Sequence, residues 1–271
     1  VTALDVIFPI FHGPLGEDGT VQGLLKLANV PFVGAGVLGS AVGMAKAIMK
    51  RLLRDAALPI GKFITLPAYK KSMFSFDEVA EQLGTPVFIK PANMGSSVGV
   101  HRAGNTDQYL RGLDDAFKYD TKVVVEEFIA GREIECAVLG NEAPVASVAG
   151  EIIPHHEFYS YEAKYIDADG AVLQIPAELS AGKQKEVQEL AIAAFQSLNC
   201  EGMARVDFFM KENGEILINE INTIPGFTRI SMYPKLWEAS GIPYAQLIEK
   251  LLNLAIDRFE REKVLQTNVS L

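Results

Sequence analysis

The chain has 271 residues, 49% hydrophobic and 22% charged, enough for one large globular core or two to three smaller ones. A formal net charge of −9 without any clustered Lys or Arg argues against a nucleic-acid binder, because neutralising phosphates needs a basic surface. No run of about 18 apolar residues offers a membrane span. The two cysteines, Cys136 and Cys200, lack partners at disulfide or metal-ligand spacing, so both are expected as reduced thiols of a cytoplasmic protein.

In chain order, a strand over DVIFPI, the loop HGPLGEDG, a helix from about Thr20 to Ala28 and a short strand PFVG read as a βαβ fragment, which predicts a parallel sheet. VTALDVIFPIFHG starts without Met and puts a buried-looking strand almost at the terminus. A strand needs neighbours, so residues 1–33 are expected to be the remainder of an N-terminal α/β domain. Ser40 is expected to cap a linker helix over 40–57, with Met44, Ile48, Leu52 and Leu53 on one stripe and Leu58-Pro59 as its stop.

Strand KFITL, a helix from about Phe76 to Leu83, strand PVFIK, a Gly/Ser loop, strand VGVHR, a helix from about Thr106 to Phe117 and strand VVVEEFI follow. They form an α+β unit assigned to residues 34–130. Residues 131–271 change to antiparallel-looking strands, EIECAVLG and PVASVAGEII. The polar and aromatic stretch HHEFYSYEAKYIDADG comes next, and a lid loop is assigned to 151–170, since a loop that long inside a domain is usually functional. A helix from Lys183 to Leu198, a hairpin, and a helix from about Tyr244 to Arg261 close the chain.

The hairpin ARVDFFMKENGEILINEIN carries polar residues where a core hairpin should be apolar. Asn213-Gly214 predicts a two-residue turn, which sets Glu212 opposite Glu215, Asp207 opposite Glu220 and Arg205 opposite Asn222. Alternation then gathers Arg205, Asp207, Phe209, Glu220 and Asn222 on one face, and Val206, Phe208, Met210, Leu217 and Ile221 on the core face. Facing carboxylates repel unless a positive charge lies between them. Arg205 supplies one, and oxygen ligands of this kind suit Mg²⁺; a solvated face with one Arg–Asp pair is the plain alternative.

KPANMGSSVGV is a glycine loop between strands. Gly95 and Gly99 permit close approach, Ser96, Ser97 and their amides can donate to phosphate oxygens, and Lys90 adds a cation, although no GK[ST] follows as in a P-loop. In VVVEEFIAGREIE, Glu126, Glu127 and Glu133 flank an Ala-Gly joint where carboxylates can accept from an amino group or hydroxyls.

Together, HGPLGEDGTVQG, the lysine of GMAKAIMK, KPANMGSSVGV, VEEFIAGREIE, YEAKY, ARVDFF and NEINTIPGFT resemble the D-alanine–D-alanine ligase family of ATP-grasp enzymes, in its order and spacing over nearly the whole chain. The resemblance implies a three-domain α/β and α+β fold, with ATP held between the second and third domains. It implies ATP and two Mg²⁺ ions, with Mn²⁺ an acceptable substitute, D-alanine as substrate, and a homodimer. The metal ligands implied are Asp207, Glu220 and Asn222, with Arg205 stabilising the transferred phosphoryl group. Lys46, Lys90, Ser97 and Lys164 are implied for the phosphates. Glu126, the backbone at Glu127 and Ile129, and Glu133 are implied for adenine and ribose, with Phe158 and Phe209 packing the ring. Ser96, tied to Tyr165, is implied for the first substrate, and Gly226, Ser231 and Met232 for the second.

Tyr165 at the end of EAKY goes, in the family, with amino-acid acceptors rather than D-lactate. His12 is placed near the first substrate. Two departures stand out. The family's first motif, with a glutamate for the first substrate's amino group, would lie before Val1, and Ala45 replaces the usual Asp before the lysine. The second readings are therefore a ligase with D-lactate or D-serine as acceptor and an inactive ATP-binding module. His155-His156 is not read as a metal pair, because adjacent side chains diverge in extended chain.

Overall fold

Three consecutive valines, Val123 to Val125, put apolar side chains on both faces of a strand, so β4 (Lys122–Glu127) must lie inside its sheet. The computed structural model, which describes residues 4–154 and 171–266, shows this. β4 pairs antiparallel with β1 (Phe63–Pro67) and β2 (Val87–Pro91), and β3 (His101–Ala103) completes a four-stranded sheet, order β1-β4-β2-β3. One face packs Val87, Ile89, Val123 and Val125 against α4 (Phe76–Leu83) and α5 (Thr106–Ala116). Both helices start where sequence chemistry demands, at a Ser75–Glu78 capping box and at an Asn105 cap. The other face carries Phe88, Lys90 and Glu126 to a cleft.

The second sheet has the order β7-β6-β5-β8-β9 and is antiparallel throughout. Its strands are β5 (Arg132–Gly140), β6 (Val145–Pro154), β7 (Ala171–Gln174), β8 (Gly202–Met210) and β9 (Ile216–Asn222). Residues 151–154 thus belong to β6, not to the start of a lid loop, because the β5–β6 ladder continues to Glu133 opposite Ile152. Ile134, Cys136, Val138, Ala204, Val206 and Phe208 pack beneath α6 (Ala181–Ser197). On the opposite face, Ala137, Leu139 and Met203 are covered by α7 (Met232–Ala239) and α8 (Tyr244–Lys263). By alternation Glu133, Glu135, Arg205, Asp207 and Phe209 continue that face beyond the two helices, where the first sheet stands opposite.

The hairpin differs from its expected register, and the difference cancels. Its loop has three residues, not two: Lys211 N–H donates to Glu215 O at 2.9 Å, Gly214 N–H to Lys211 O at 2.9 Å, and Gly214 takes φ 82°. Met210 therefore faces Ile216. Asn219, an extra residue in β9, then bulges out between Ile218, opposite Phe208, and Glu220, opposite Asp207, so Arg205 still faces Asn222. Between the two offsets the faces are exchanged: Leu217, expected in the core, faces Phe209, and Ile218 takes the core position.

The single linker helix expected over 40–57 is two helices, α2 (Val37–Met44) and α3 (Lys46–Asp55), broken at Ala45 with φ −79° and ψ 82°. Lys46 N–H bonds Ala92 O at 3.0 Å, just after β2, which ties the start of α3 to the first sheet. Ser40 is not a cap; it is buried and its hydroxyl donates to Ala35 O. Met49 and Leu53 join the core beneath α6. No side chain caps α3, so Ala45→Asp is expected to stabilise the fold by about 1 kcal/mol, read as a rise of roughly 2 °C in Tm.

Near the chain start, α1 (Thr20–Leu27) matches its expected bounds, but the expected parallel sheet reduces to one parallel bridge, Ile7 to Phe32, among the described residues. A 3₁₀ turn at Ala68–Met73 and helix α7 were not expected. Both cysteines are free and buried, and burial pushes each thiol up to about 12. Among the described residues no helix is long and apolar enough to cross a membrane.

Candidate active site

The two sheets face each other across a cleft of about 420 Å³. From the first sheet and its approaches come Lys46, Lys90, Ser96, Ser97, Glu126, Glu127 and Ile129; from the second come Glu133, Phe209 and Glu220. Glu127 Oε1 is engaged within the fold, accepting from Lys62 N–H at 2.7 Å. Gly61 lies against Ile129, where a Cβ would come within 2.8 Å of Ile129 Cδ1 and displace the end of that side chain.

The glycine loop is built differently from its sequence reading. Nothing crowds Gly95, whereas a Cβ on Gly99, at φ 67°, would lie 2.7 Å from the Tyr119 ring. The unusual backbone belongs to the serines: Ser96 and Ser97 hold φ of 54° and 59°, a left-handed pair that non-glycine residues rarely adopt. The two serines form the centre of a tight turn closed by Val98 N–H donating to Gly95 O at 3.2 Å.

Cations and carboxylates are tightly interleaved on the first sheet's side. Lys90 Nζ donates to Glu126 Oε2 at 2.8 Å, and Lys50 Nζ lies 3.3 Å from Glu126 Oε1. Burial raises the Glu126 carboxyl, but Lys50 and Lys90 overcome this and hold it at about 2. Burial likewise lowers the Lys50 amine, which Glu126 only partly offsets, whereas for Lys90 the pull of Glu126 exceeds the burial effect and the net shift is upward. Lys46, at the start of α3, donates to Met94 O in the glycine loop at 2.5 Å and stands 3.9 Å from Glu220 across the cleft.

On the second sheet, Arg205 forks onto Asp207, with Nε to Oδ1 at 2.7 Å and a terminal nitrogen to Oδ2 at 2.8 Å, while Nε also lies 2.9 Å from Glu135. Burial works against the guanidinium charge, and Asp207 and Glu135 more than overcome it. Asn222 Nδ2 donates to Asp207 Oδ2 at 2.8 Å. Among the described residues no three His, Cys, Asp or Glu side chains come together to hold a metal. Two carboxylates and one amide still fit Mg²⁺, which fills its octahedron with water and phosphate oxygens. To serve, Asn222 must turn its carbonyl outward and Asp207 must share itself with Arg205.

At the other end, Glu220 and Asn222 line a small adjoining pocket with Glu17, Lys46 and Gly95. Glu17 accepts from Gly13 N–H at 2.6 Å, and His12 Nδ1 donates to Ile224 O at 3.0 Å, which brings the HGPLGEDG loop onto the chain after β9. Burial raises the Glu17 carboxyl, against the pull of Gly13 N–H and His12. Ser231 Oγ accepts from Thr228 N–H at 3.1 Å, and Gly226 lies close beneath it. Met232 is a core residue with a buried side chain, so only its N–H at the start of α7 can meet a ligand. A Cβ on Gly226 would press on Ser231 Oγ at 2.9 Å.

Phe158, Lys164 and Tyr165, and the His155-His156 pair, lie outside the described residues. Three groups the sequence reading did not single out belong to this site: Lys50, Glu135 and Glu17. Each carried a faint signal, Lys50 one helical turn after Lys46, Glu135 two residues along the strand from Glu133, and Glu17 inside the glycine-rich loop.

Comparison with known proteins fits this geometry. The family description "D-ala D-ala ligase C-terminus" matches residues 52–253, and "D-ala D-ala ligase N-terminus" matches residues 1–35. A D-alanine–D-alanine ligase of Oceanobacillus iheyensis is 59% identical over 267 residues, 98% of this chain and 73% of the relative. The structure of the D-alanine–D-alanine ligase from Coxiella burnetii superposes with a TM-score of 0.86 at 44% identity, covering 97% of this chain and 70% of that one. The VanG D-Ala:D-Ser ligase of Enterococcus faecalis has the same TM-score at 36% identity, covering 94% and 74%. Fold, cleft and matches define an ATP-grasp enzyme, a ligase that uses ATP with Mg²⁺ on small-molecule substrates. Within that class, the chain belongs to the D-alanine–D-alanine ligase family.

Proposed function

We propose that this chain joins two D-alanines into D-alanyl-D-alanine, a peptidoglycan precursor, through an acylphosphate formed from ATP. The observation that carries the reading is Glu220, paired with Asp207 across β8 and β9, which lines one cleft with Lys46 and Lys90 and stands 3.9 Å from Lys46. A carboxylate oxygen of the first D-alanine attacks the γ-phosphorus and ADP leaves. The amine of the second then attacks the acyl carbon, loses a proton, and the carbon–oxygen bond to phosphate breaks.

Like charges keep a carboxylate from a triphosphate, and the chain's answer is its cations. Lys46, Lys90 and the Ser96-Ser97 amides hold the phosphates, and Arg205 meets charge building on the transferred group and on the tetrahedral carbon's oxygen. Glu126, the Glu127–Ile129 backbone and Glu133 bind adenine and ribose, with Phe209 and Phe158 against the ring. Ser96 and Tyr165 orient the first D-alanine, with His12 nearby. Gly226, Ser231 and the Met232 N–H hold the second one's carboxylate. Asp207, Glu220 and Asn222 would hold two Mg²⁺ ions, replaceable by Mn²⁺, which would supply positive charge against the phosphates. Lys164 is assigned to the γ-phosphate.

In this reading residues 1–33 belong to an N-terminal domain, 34–130 to a central one and 131–271 to a C-terminal one, in a cytoplasmic homodimer. The similarity to the VanG ligase motivates a second reading with D-serine as acceptor, which Tyr165 does not distinguish. Incubation with ATP, Mg²⁺ and D-alanine together with D-serine or D-lactate, and product identification by mass, decides it. D-alanyl-D-alanine as main product is expected; a mixed product as the main species overturns the acceptor assignment.

A further inference from the structure

Glu126 is shared by two lysines, one on each carboxylate oxygen, and the two are not equivalent. Lys90 lies on β2 with 15% of its side chain exposed at the cleft, close to the glycine loop. Lys50 has 3% exposed, and its ammonium is boxed between Glu126 and the face of Phe63, 5.9 Å from the ring centroid. Lys50 also borders the cleft, but of the two Lys90 is the freer to move. Phosphates arriving in the cleft must draw Lys90 toward themselves and away from a carboxylate it holds at 2.8 Å. A buried carboxylate whose only partner left would be strongly disfavoured.

We propose that Lys50 is a positioning residue for nucleotide binding: it is the standing counter-charge of Glu126, releasing Lys90 to the phosphates while the carboxylate stays in place at the adenine edge. The inference rests on the ATP-binding reading above. With both lysines present the trio carries one net positive charge, and when Lys90 turns to the nucleotide a neutral Lys50–Glu126 pair remains. Without Lys50, Lys90 is the one ion-pair partner left to Glu126 among the described residues, and ATP must compete with Glu126 for it. Lys50 acts through Glu126 and need not touch the nucleotide.

The test is calorimetric titration of ATP, with excess Mg²⁺, into wild type, Lys50→Met, Glu126→Gln and the double variant, each checked by thermal melting. Lys50→Met is expected to weaken ATP binding at least about tenfold, and to raise the KM for ATP but not for D-alanine. In the Glu126→Gln background, where no carboxylate needs a counter-charge, adding Lys50→Met should change affinity less than about threefold. Should Lys50→Met alone fail to fold, the comparison of Glu126→Gln with the double variant still decides. Wild-type affinity in Lys50→Met, or a full loss on adding it to Glu126→Gln, overturns the proposal. A wild type that binds no ATP overturns the functional reading itself, and this inference with it.

Discussion

Arg205→Met is expected to lower kcat by about 10²- to 10³-fold, the effect of removing one group that stabilises charge developing in a transition state. It should also destabilise the fold. Arg205 is the shared partner of Asp207 and Glu135, whose side chains are 14% and 6% exposed, and its loss leaves two carboxylates side by side. Breaking a buried pair by removing one partner costs about 3–5 kcal/mol. Bound Mg²⁺ would relieve part of that cost at Asp207 but not at Glu135. Phosphate release in the presence of D-alanine, and denaturant midpoints with and without Mg²⁺, check both halves. A variant within threefold of wild-type kcat contradicts the role given to Arg205.

Acid is expected to loosen the first sheet through Glu126. Its folded-state value is about 2 against an ordinary 4.5, so the unfolded chain binds the proton more readily. The stabilisation is therefore complete above about pH 4.5 and is lost as pH falls toward 2. Integrated over the shift it amounts to about 3 kcal/mol, with roughly two thirds gone by pH 3. Burial of Lys50, whose amine is lowered, offsets some of this gain near neutrality. Urea midpoints of wild type and Glu126→Gln between pH 7 and pH 3 measure it. The variant should show the shallower loss, and equal slopes would refute the assignment.

The parts of this site that follow local rules could be read from the sequence. Alternation in ARVDFFM assigns faces, the valine run makes a buried strand of β4, and the helices expected from about Phe76 and about Thr106 start at those residues. What could not be read depends on contacts distant in the chain. GMAKAIMK contains no proline, and its one glycine, Gly43, lies inside α2 rather than at the break; the break at Ala45 goes with a hydrogen bond from Lys46 to Ala92, nearly fifty residues on. Asn-Gly favours a two-residue turn, but glycine with positive φ serves a three-residue loop as well, and nothing in ILINEIN announces the bulge at Asn219. The facing carboxylates were placed correctly because two one-residue offsets cancel. Lys50 and Glu135 escaped notice because a charge inside an apolar stripe has no local meaning until its partner, Glu126 or Arg205, is folded against it.

An acylphosphate leaves an isotopic trace in the phosphate it releases. D-alanine carrying ¹⁸O in its carboxylate is incubated with the enzyme, ATP and Mg²⁺, and the released phosphate is examined by mass. Attack of a carboxylate oxygen on phosphorus, followed by cleavage of the carbon–oxygen bond, predicts one ¹⁸O in each phosphate for every D-alanyl-D-alanine formed. Phosphate containing no ¹⁸O while dipeptide accumulates would contradict the mechanism.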